Sequence, residues 1–339
     1  MTRNAPDRRS AQLLSRSAIR CAFLAWLFLF PTANAAAAPV EIDAQSIPLN
    51  PREPDQSKVD WIDYLAGFEL RSDAEDWGGL SSMRLTADGS RLLALSDLGF
   101  WITFTLHHDM DGRLTGVSDG VIAPLLDEKG HPLAGKRRAD AEGLARDTDG
   151  SLLVAFERDH RIWRYGPADD PFQAAAKPVE PPDTITNLPG NGGIEAMAVL
   201  GPGRILLLSE DGADAAGDIR GWISAANGWA EISLARTGRF KPTDLALLPD
   251  GDVLLLERRY SPIGGPAARL SILSATEIRP GIRLTGQPIA ELTLPLSVDN
   301  FEALAAAPAP GGGTLIYLLS DDNRSMLQRT LLLQFLLRP

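Results

Sequence analysis

Cysteine is almost absent from this 339-residue chain: the single copy, Cys21, lies in an apolar stretch near the N-terminus. One cysteine cannot form an intramolecular disulfide, and the chain beyond residue 35 has no thiol chemistry at all. Histidine is nearly as scarce, at four, which closes off a zinc centre built from Cys or from several His. Basic charge is in deficit, with 33 Lys and Arg against 44 Asp and Glu and a net charge of −11. A chain this acidic is unsuited to general nucleic-acid binding. Long apolar runs are missing too: after residue 35 none reaches the length of a membrane-spanning helix. Disorder is excluded in turn, because 44% of the residues are hydrophobic and only 23% charged.

The N-terminus is organised differently from the rest. Arg3, Arg8, Arg9, Arg16 and Arg20, with Asp7, precede the uncharged run CAFLAWLFLF from Cys21 to Phe30. Pro31 breaks that run, and Ala33-Asn34-Ala35 supplies a small–x–small cleavage pattern. The expectation is a signal peptide over residues 1–35, cut after Ala35, and a protein exported to the periplasm or secreted without a membrane anchor. Arg8-Arg9 leaves a twin-arginine route open beside the general one. The leader carries +4, so the remaining chain carries −15. Residues 36–58 read as a linker or N-terminal extension, and 59–339 as one domain, expected to act as a monomer.

Within that domain one phrase recurs five times. An acidic residue, a small residue and Leu or Met open a short apolar run. A Gly-containing turn, a second apolar run and a polar end follow. The copies are 78–97, 142–158, 195–210, 244–259 and 302–323. Asp88-Gly89, Asp149-Gly150 and Asp250-Gly251 mark three of the turns, so each copy reads as a β-hairpin. Pro and Gly inside each phrase would interrupt a helix at the same place every time. Further strand candidates lie between copies, at 101–108, 161–166, 269–278 and 289–296. Four strands per unit of roughly 50 residues is the arithmetic of a β-propeller blade. The fold class is therefore all-β, a single β-propeller of five blades by motif count. Six are possible if the N-terminal segment and the first spacer form a degenerate blade. The last unit has only one strand left after its hairpin, 329–337, and the segment 59–72 is expected to close the ring.

A propeller would gather the repeated acids on one face. Glu142, Glu195, Asp244 and Glu302 begin their copies, with Gly78 in the first, and a second set ends the hairpins: Asp97, Glu157, Glu210, Glu257 and Asp321. Carboxylates converging on one axis repel unless they are protonated, paired with Arg or Lys, or bound to a cation. One reading is a metal site at the channel mouth formed by Glu142, Glu195, Asp244, Glu302 and Asp321, with Ca²⁺ the natural ion for oxygen ligands. Another has each acid tying its own blade together, and a third has raised-pKa carboxylic acids working without metal. Arg158, Arg258, Arg259 and Lys241, embedded in the same phrases, are candidates for holding a phosphate. Glu157 and Glu257 are candidates for proton transfer. Ser96, Ser209 and Ser320 recur before an acid, but no nucleophile elbow surrounds them.

The phrases WGGLSSMRLTADGSRLLALSD, DLALLPDGDVLLLERRY and NFEALAAAP, with LLSDDNRSMLQRTLLLQFLL after it, resemble the bacterial family described as "esterase-like activity of phytase". The resemblance covers residues 60–338. Its most specific pieces are LLLERRY (254–260) and LSDDN…QRTL (319–331), with Arg324 where the family pattern leads one to expect an aromatic. It implies a propeller related to the calcium-dependent phytases, which are thought of as six-bladed, and phosphoester hydrolysis. Read together, residues and resemblance suggest an exported metal-dependent phosphoester hydrolase acting on small-molecule esters at the channel mouth. A lactonase-type propeller esterase and a non-enzymatic binding scaffold are the alternatives.

Overall fold

The computed structural model describes residues 37–166, 171–225 and 228–339. The expected leader, its cleavage point after Ala35 and Cys21 lie outside these residues. Among the described residues no helix is long and apolar enough to cross a membrane.

The described chain opens with β1 (Ala38–Val40), β2 (Asp43–Ser46), β3 (Lys58–Val59) and β4 (Ile62–Arg71). The first repeat then starts a sheet of β5 (Leu80–Leu85), β6 (Arg91–Ser96), β7 (Phe100–His108) and β8 (Leu114–Pro124), with β1 added along β8. One helical turn, α1 (Lys136–Ala139), leads into the second sheet: β9 (Ala141–Arg146), β10 (Leu152–Phe156), β11 (Arg161–Tyr165) and β12 (Lys177–Val179). The third consists of β13 (Ile194–Gly201), β14 (Arg204–Ala213), β15 (Ile219–Ala225) and β16 (Gly228–Leu234). The fourth begins with β17 (Lys241–Leu247), β18 (Val253–Ser261) and β19 (Gly265–Leu273). Then β20 (Arg283–Leu284) reaches back to pair in parallel with β16, and β21 (Gln287–Thr293) completes the fourth sheet. The fifth holds β22 (Phe301–Pro308), β23 (Thr314–Ser320) and β24 (Thr330–Leu337), with β4 beside β24 and β2 outermost.

All five repeated phrases are hairpins, as their turns require. Gly89, Gly150 and Gly251 adopt φ of 70°, 82° and 94°, a region open to glycine at little cost. Each donates its N–H three residues back, to Thr86, Asp147 and Leu248 respectively. The inner strands β5, β9, β13, β17 and β22 touch one another in a closed cycle. The chain is thus a five-bladed propeller. The sixth-blade alternative fails because the long first spacer supplies β7 and β8, the outer half of the first blade. Closure follows the expected route: β4 pairs antiparallel with β24, from Ile62 against Leu337 to Leu70 against Thr330.

The apolar core lies between blades. Five clusters of buried side chains occupy the five blade-to-blade contacts. On β18 the alternation is plain, with Leu254 and Leu256 facing the fifth blade and Val253 and Leu255 facing the third. Because both faces of a blade are covered, its central strands read as continuous apolar runs rather than as alternating ones.

At the hub a single side chain touches every blade. The Arg84 guanidinium donates to the carbonyls of Met83 (2.5 Å), Met197 (2.9 Å), Leu304 (3.1 Å) and Leu144. It also meets both carboxylate oxygens of Asp244, each at 3.0 Å. Asp244 is fully buried and accepts further bonds from the Ser82 hydroxyl and the Leu245 and Leu304 N–H groups. Burial pushes its carboxyl upward against the pull of Arg84. Every contact aimed at those two oxygens is a donor, which suits the carboxylate.

Removing Arg84 would leave a buried charge and four inward carbonyls short of donors. Arg84→Met is expected to cost about 3–5 kcal/mol of stability in urea unfolding, with Arg84→Met/Asp244→Leu recovering part of that. A loss under about 1 kcal/mol for the single variant would show that the pair does not hold the hub.

Candidate functional site

The start of each inner strand contains a β-bulge, and the bulge decides which side chain faces the hub mouth. Register shifts fall between Leu80 and Ser82, Ala141 and Gly143, Ile194 and Ala196, Pro242 and Asp244, and Phe301 and Ala303. The residues at the bulge are therefore Ser81, Glu142, Glu195, Thr243 and Glu302. This differs from the expected alignment, in which Gly78 and Asp244 hold that place. Asp244 falls one residue further along β17, so the strand's pleat carries it to Arg84. Ser81 and Thr243 instead donate their hydroxyls to the next blade, to the carbonyls of Ala141 (2.7 Å) and Phe301 (3.4 Å).

A second ring comes from the hairpins' return strands. Ser96, Phe156, Ser209, Glu257 and Ser320 are paired with the residues just before the bulges. The following residues, Asp97, Glu157, Glu210, Arg258 and Asp321, all line the mouth. In the fourth blade a guanidinium thus stands where the others have a carboxylate. The recurrent serines are structural ties: Ser96, Ser209 and Ser320 are fully buried and donate to the carbonyls of Gly78, Arg220 and Arg329.

These two rings enclose a cavity of about 250 Å³. Eight carboxylates line it (Asp97, Asp140, Glu142, Glu157, Glu195, Glu210, Glu302 and Asp321) against three cationic groups, Lys136, Arg158 and Arg258. Arg258 is the central counter-ion, 3.1 Å from Glu210 and 3.0 Å from Glu302. Asn300 donates to the same Glu302 oxygen at 2.7 Å. Asp140, almost completely buried, is held by Arg158 Nε and Lys136 Nζ, each at 2.5 Å, and Lys136 also bridges to Asp97. One oxygen of Glu157 accepts the N–H groups of Gly192 (2.6 Å) and Gly193 (2.5 Å). Gly192, at φ 126°, holds a backbone conformation that a side chain would strain.

Burial dominates the electrostatics. It pushes Glu142, Glu195 and Asp321 well above the ordinary carboxylate range, and neighbouring carboxylates add to the effect. For Glu157 burial outweighs the two backbone N–H bonds, and its carboxyl is also raised. Glu195 is only 8% exposed and has no hydrogen-bond donor among the described residues. Oxygens of Asp97, Asp140 and Glu142 lie within 4.8 Å of one another, a spacing that could hold a metal ion.

Of the residues singled out from sequence, Glu142, Glu195, Glu302, Asp321, Glu157, Arg158 and Arg258 share this cavity. Four do not line it. Asp244 is bound to Arg84, and Lys241 sits beside the cavity, against Glu210 (3.4 Å) and Asp211. Arg259 stacks over Phe240 and pairs with Glu291 at 3.3 Å. Glu257 holds the position that serine takes in three other blades, and the charge acting on it is Arg269. Sequence reasoning passed over Asp140, Lys136 and Arg84. Asp140 stands two residues before Glu142, a same-face spacing in extended chain. Arg84 breaks a pattern, since the other four copies have Ala145, Ala198, Ala246 and Ala305 in its place.

The sequence matches the family described as "Phytase-like: Esterase-like activity of phytase" over residues 75–324. No curated protein sequence matches the chain. Among solved structures, a gluconolactonase from Xanthomonas campestris is 12% identical, covering 90% of this chain and 88% of that one, with a TM-score of 0.41. An α-L-arabinofuranosidase from Podospora anserina, solved with cellotriose, is 13% identical, covering 85% and 98%, with a TM-score of 0.49. A virginiamycin B lyase from Staphylococcus aureus is 12% identical, covering 83% and 82%, with a TM-score of 0.37.

Glu257 yields a test of the electrostatics that is independent of the cavity. Burial pushes its carboxyl from 4.5 up to about 7. Between those values the folded state keeps a proton that the unfolded state has released, so stability falls as pH rises through the window. Relative to Glu257→Gln, the wild type should lose on the order of 3 kcal/mol between pH 4 and pH 8. Parallel pH profiles from denaturant unfolding would contradict the assignment.

Proposed function

The chain belongs to the Phytase-like family, and from that membership we propose that it is a divalent-cation-dependent ester hydrolase acting on small-molecule phosphoesters at the hub mouth. The observation that carries the reading is Glu195, a buried carboxylate without a donor in a cavity of eight acids. Ion pairs with Arg258, Lys136 and Arg158 satisfy several of the other acids but leave Glu195 and Glu142 short, which favours a further cation over a purely structural role.

Glu142, with Glu195 beside it, would hold the ion together with Asp97 and Asp140, in place of the Lys136 ammonium that bridges those two. Their hard oxygen donors, and a spread of 4.8 Å, suit ligand distances of about 2.3–2.6 Å and favour Ca²⁺. When bound, such an ion supplies Lewis-acid polarisation of the ester oxygen and offsets its negative charge. The protein's own groups do the rest. Arg258 and Arg158 present guanidinium N–H groups along the cavity wall, suited to two phosphate oxygens. Glu157 is pinned through one oxygen by Gly192 and Gly193, which leaves the other to hold or move a proton. Its raised pKa fits the donation of that proton to the leaving oxygen. Export through the N-terminal segment would deliver the protein to a compartment where calcium is plentiful.

Hydrolysis of a phosphate monoester should stop in excess chelator and return with Ca²⁺. Glu195→Gln and Glu142→Gln should each raise the Ca²⁺ concentration for half-maximal thermal stabilisation by about tenfold or more. Turnover unchanged by chelation would remove the metal-dependent reading.

A further inference from the structure

A second cavity opens beside the hub mouth and is larger, about 620 Å³ against 250 Å³. Arg258 and Asn323 line both, so a ligand held at the mouth can extend from one into the other. The larger cavity lies between the fourth and fifth blades. The β18–β19 hairpin forms one side and the segment joining β23 to β24 forms the other.

The two cavities differ in character. No apolar side chain lines the hub mouth, so it can grip an acid group but offers nothing to an organic one. The larger cavity is lined by Tyr260, Pro266, Val298 and Leu327 together with polar groups that include Asn323 and Arg329. Tyr260, near the end of β18, and Leu327, in the segment joining β23 to β24, stand 68% and 93% exposed on the two sides. Single exposed apolar residues are ordinary, but two across one cavity next to a charged site form a ligand-sized amphipathic slot.

We propose that this slot receives the organic half of the substrate, and that the preferred substrates are anionic esters of flat, aryl-type alcohols. The acid group would sit toward Arg258 and the ring between Tyr260 and Leu327. This rests on the reading of the hub mouth as an ester-hydrolysing site.

Binding can be measured without turnover. Full-length protein in calcium buffer is titrated calorimetrically with 1-naphthylphosphonate and with methylphosphonate, neither of which is hydrolysed. The naphthyl compound should bind about tenfold tighter or more, from burial of its ring. Tyr260→Ala and Leu327→Ser, both at exposed positions, should bring that ratio close to one. Trp61→Ala, at an exposed position that does not line the cavity, should leave it intact. Equal affinities in the wild type, or a preference surviving both cavity variants, overturns the proposal. Assays with 1-naphthyl phosphate and glycerol 2-phosphate separate it from the hydrolase reading. A binding preference with no turnover of either ester keeps the slot and removes the hydrolase, whereas equally efficient turnover of both does the reverse.

Discussion

Five sheets can close around one axis only if the backbone groups that converge there find partners. In this chain the partner is one guanidinium. Arg84 meets inward carbonyls from the first, second, third and fifth blades, and the fourth contributes the Asp244 carboxylate in place of a carbonyl. A planar group with five fixed donors suits that ring better than a lysine ammonium would. The pair also divides the channel, leaving the carboxylate-lined mouth on one side. On the other lies a bowl walled largely by alanines, including Ala145, Ala198, Ala246 and Ala305. What happens at the mouth is thereby insulated from the opposite face.

Above that plug the balance of charge runs the other way. Three bulge positions and four hairpin ends deliver carboxylates to one small cavity, and the bulge is the device that turns them there. The same positions in the first and fourth blades are Ser81 and Thr243, whose hydroxyls tie blades together. Arg258 replaces the fourth blade's acid and neutralises its neighbours from both sides. The cavity is thus graded rather than uniform, with Arg258 on one side, Lys136 and Arg158 on the other, and, among the described residues, Glu142 and Glu195 unpaired between them. An ion and an anionic group could be accommodated side by side on that gradient.

The architecture was largely legible in the sequence because its signals repeat. Asp-Gly turns, interrupted apolar runs and a leftover final strand each pointed to hairpins in a ring closed by residues 59–72. The site was legible less evenly, for a physical reason. A bulge adds one residue without leaving a mark in the pattern, and one residue reverses the facing of everything after it. Asp244 and Glu257 look equivalent to the other acids when the copies are laid side by side, yet Asp244 stands one residue after its bulge and Glu257 one residue before the mouth-facing Arg258, so they turn to Arg84 and toward Arg269. Arg84 was passed over although it is a charge in a column of alanines, because only the convergence of five strands gives that charge a meaning.

The seam between β4 and β24 joins residues separated by almost the whole described chain. Such a contact is among the costliest in loop-closure entropy, and it cannot form until the C-terminal strand is available. Earlier blades can pair internally while the circle stays open, with the first and last inter-blade surfaces still wet. The closing strand therefore behaves as a clasp whose engagement converts a row of separate sheets into one cooperative body. A ribosome-bound or partly threaded polypeptide lacks that clasp, and so remains an unlatched string until β24 emerges.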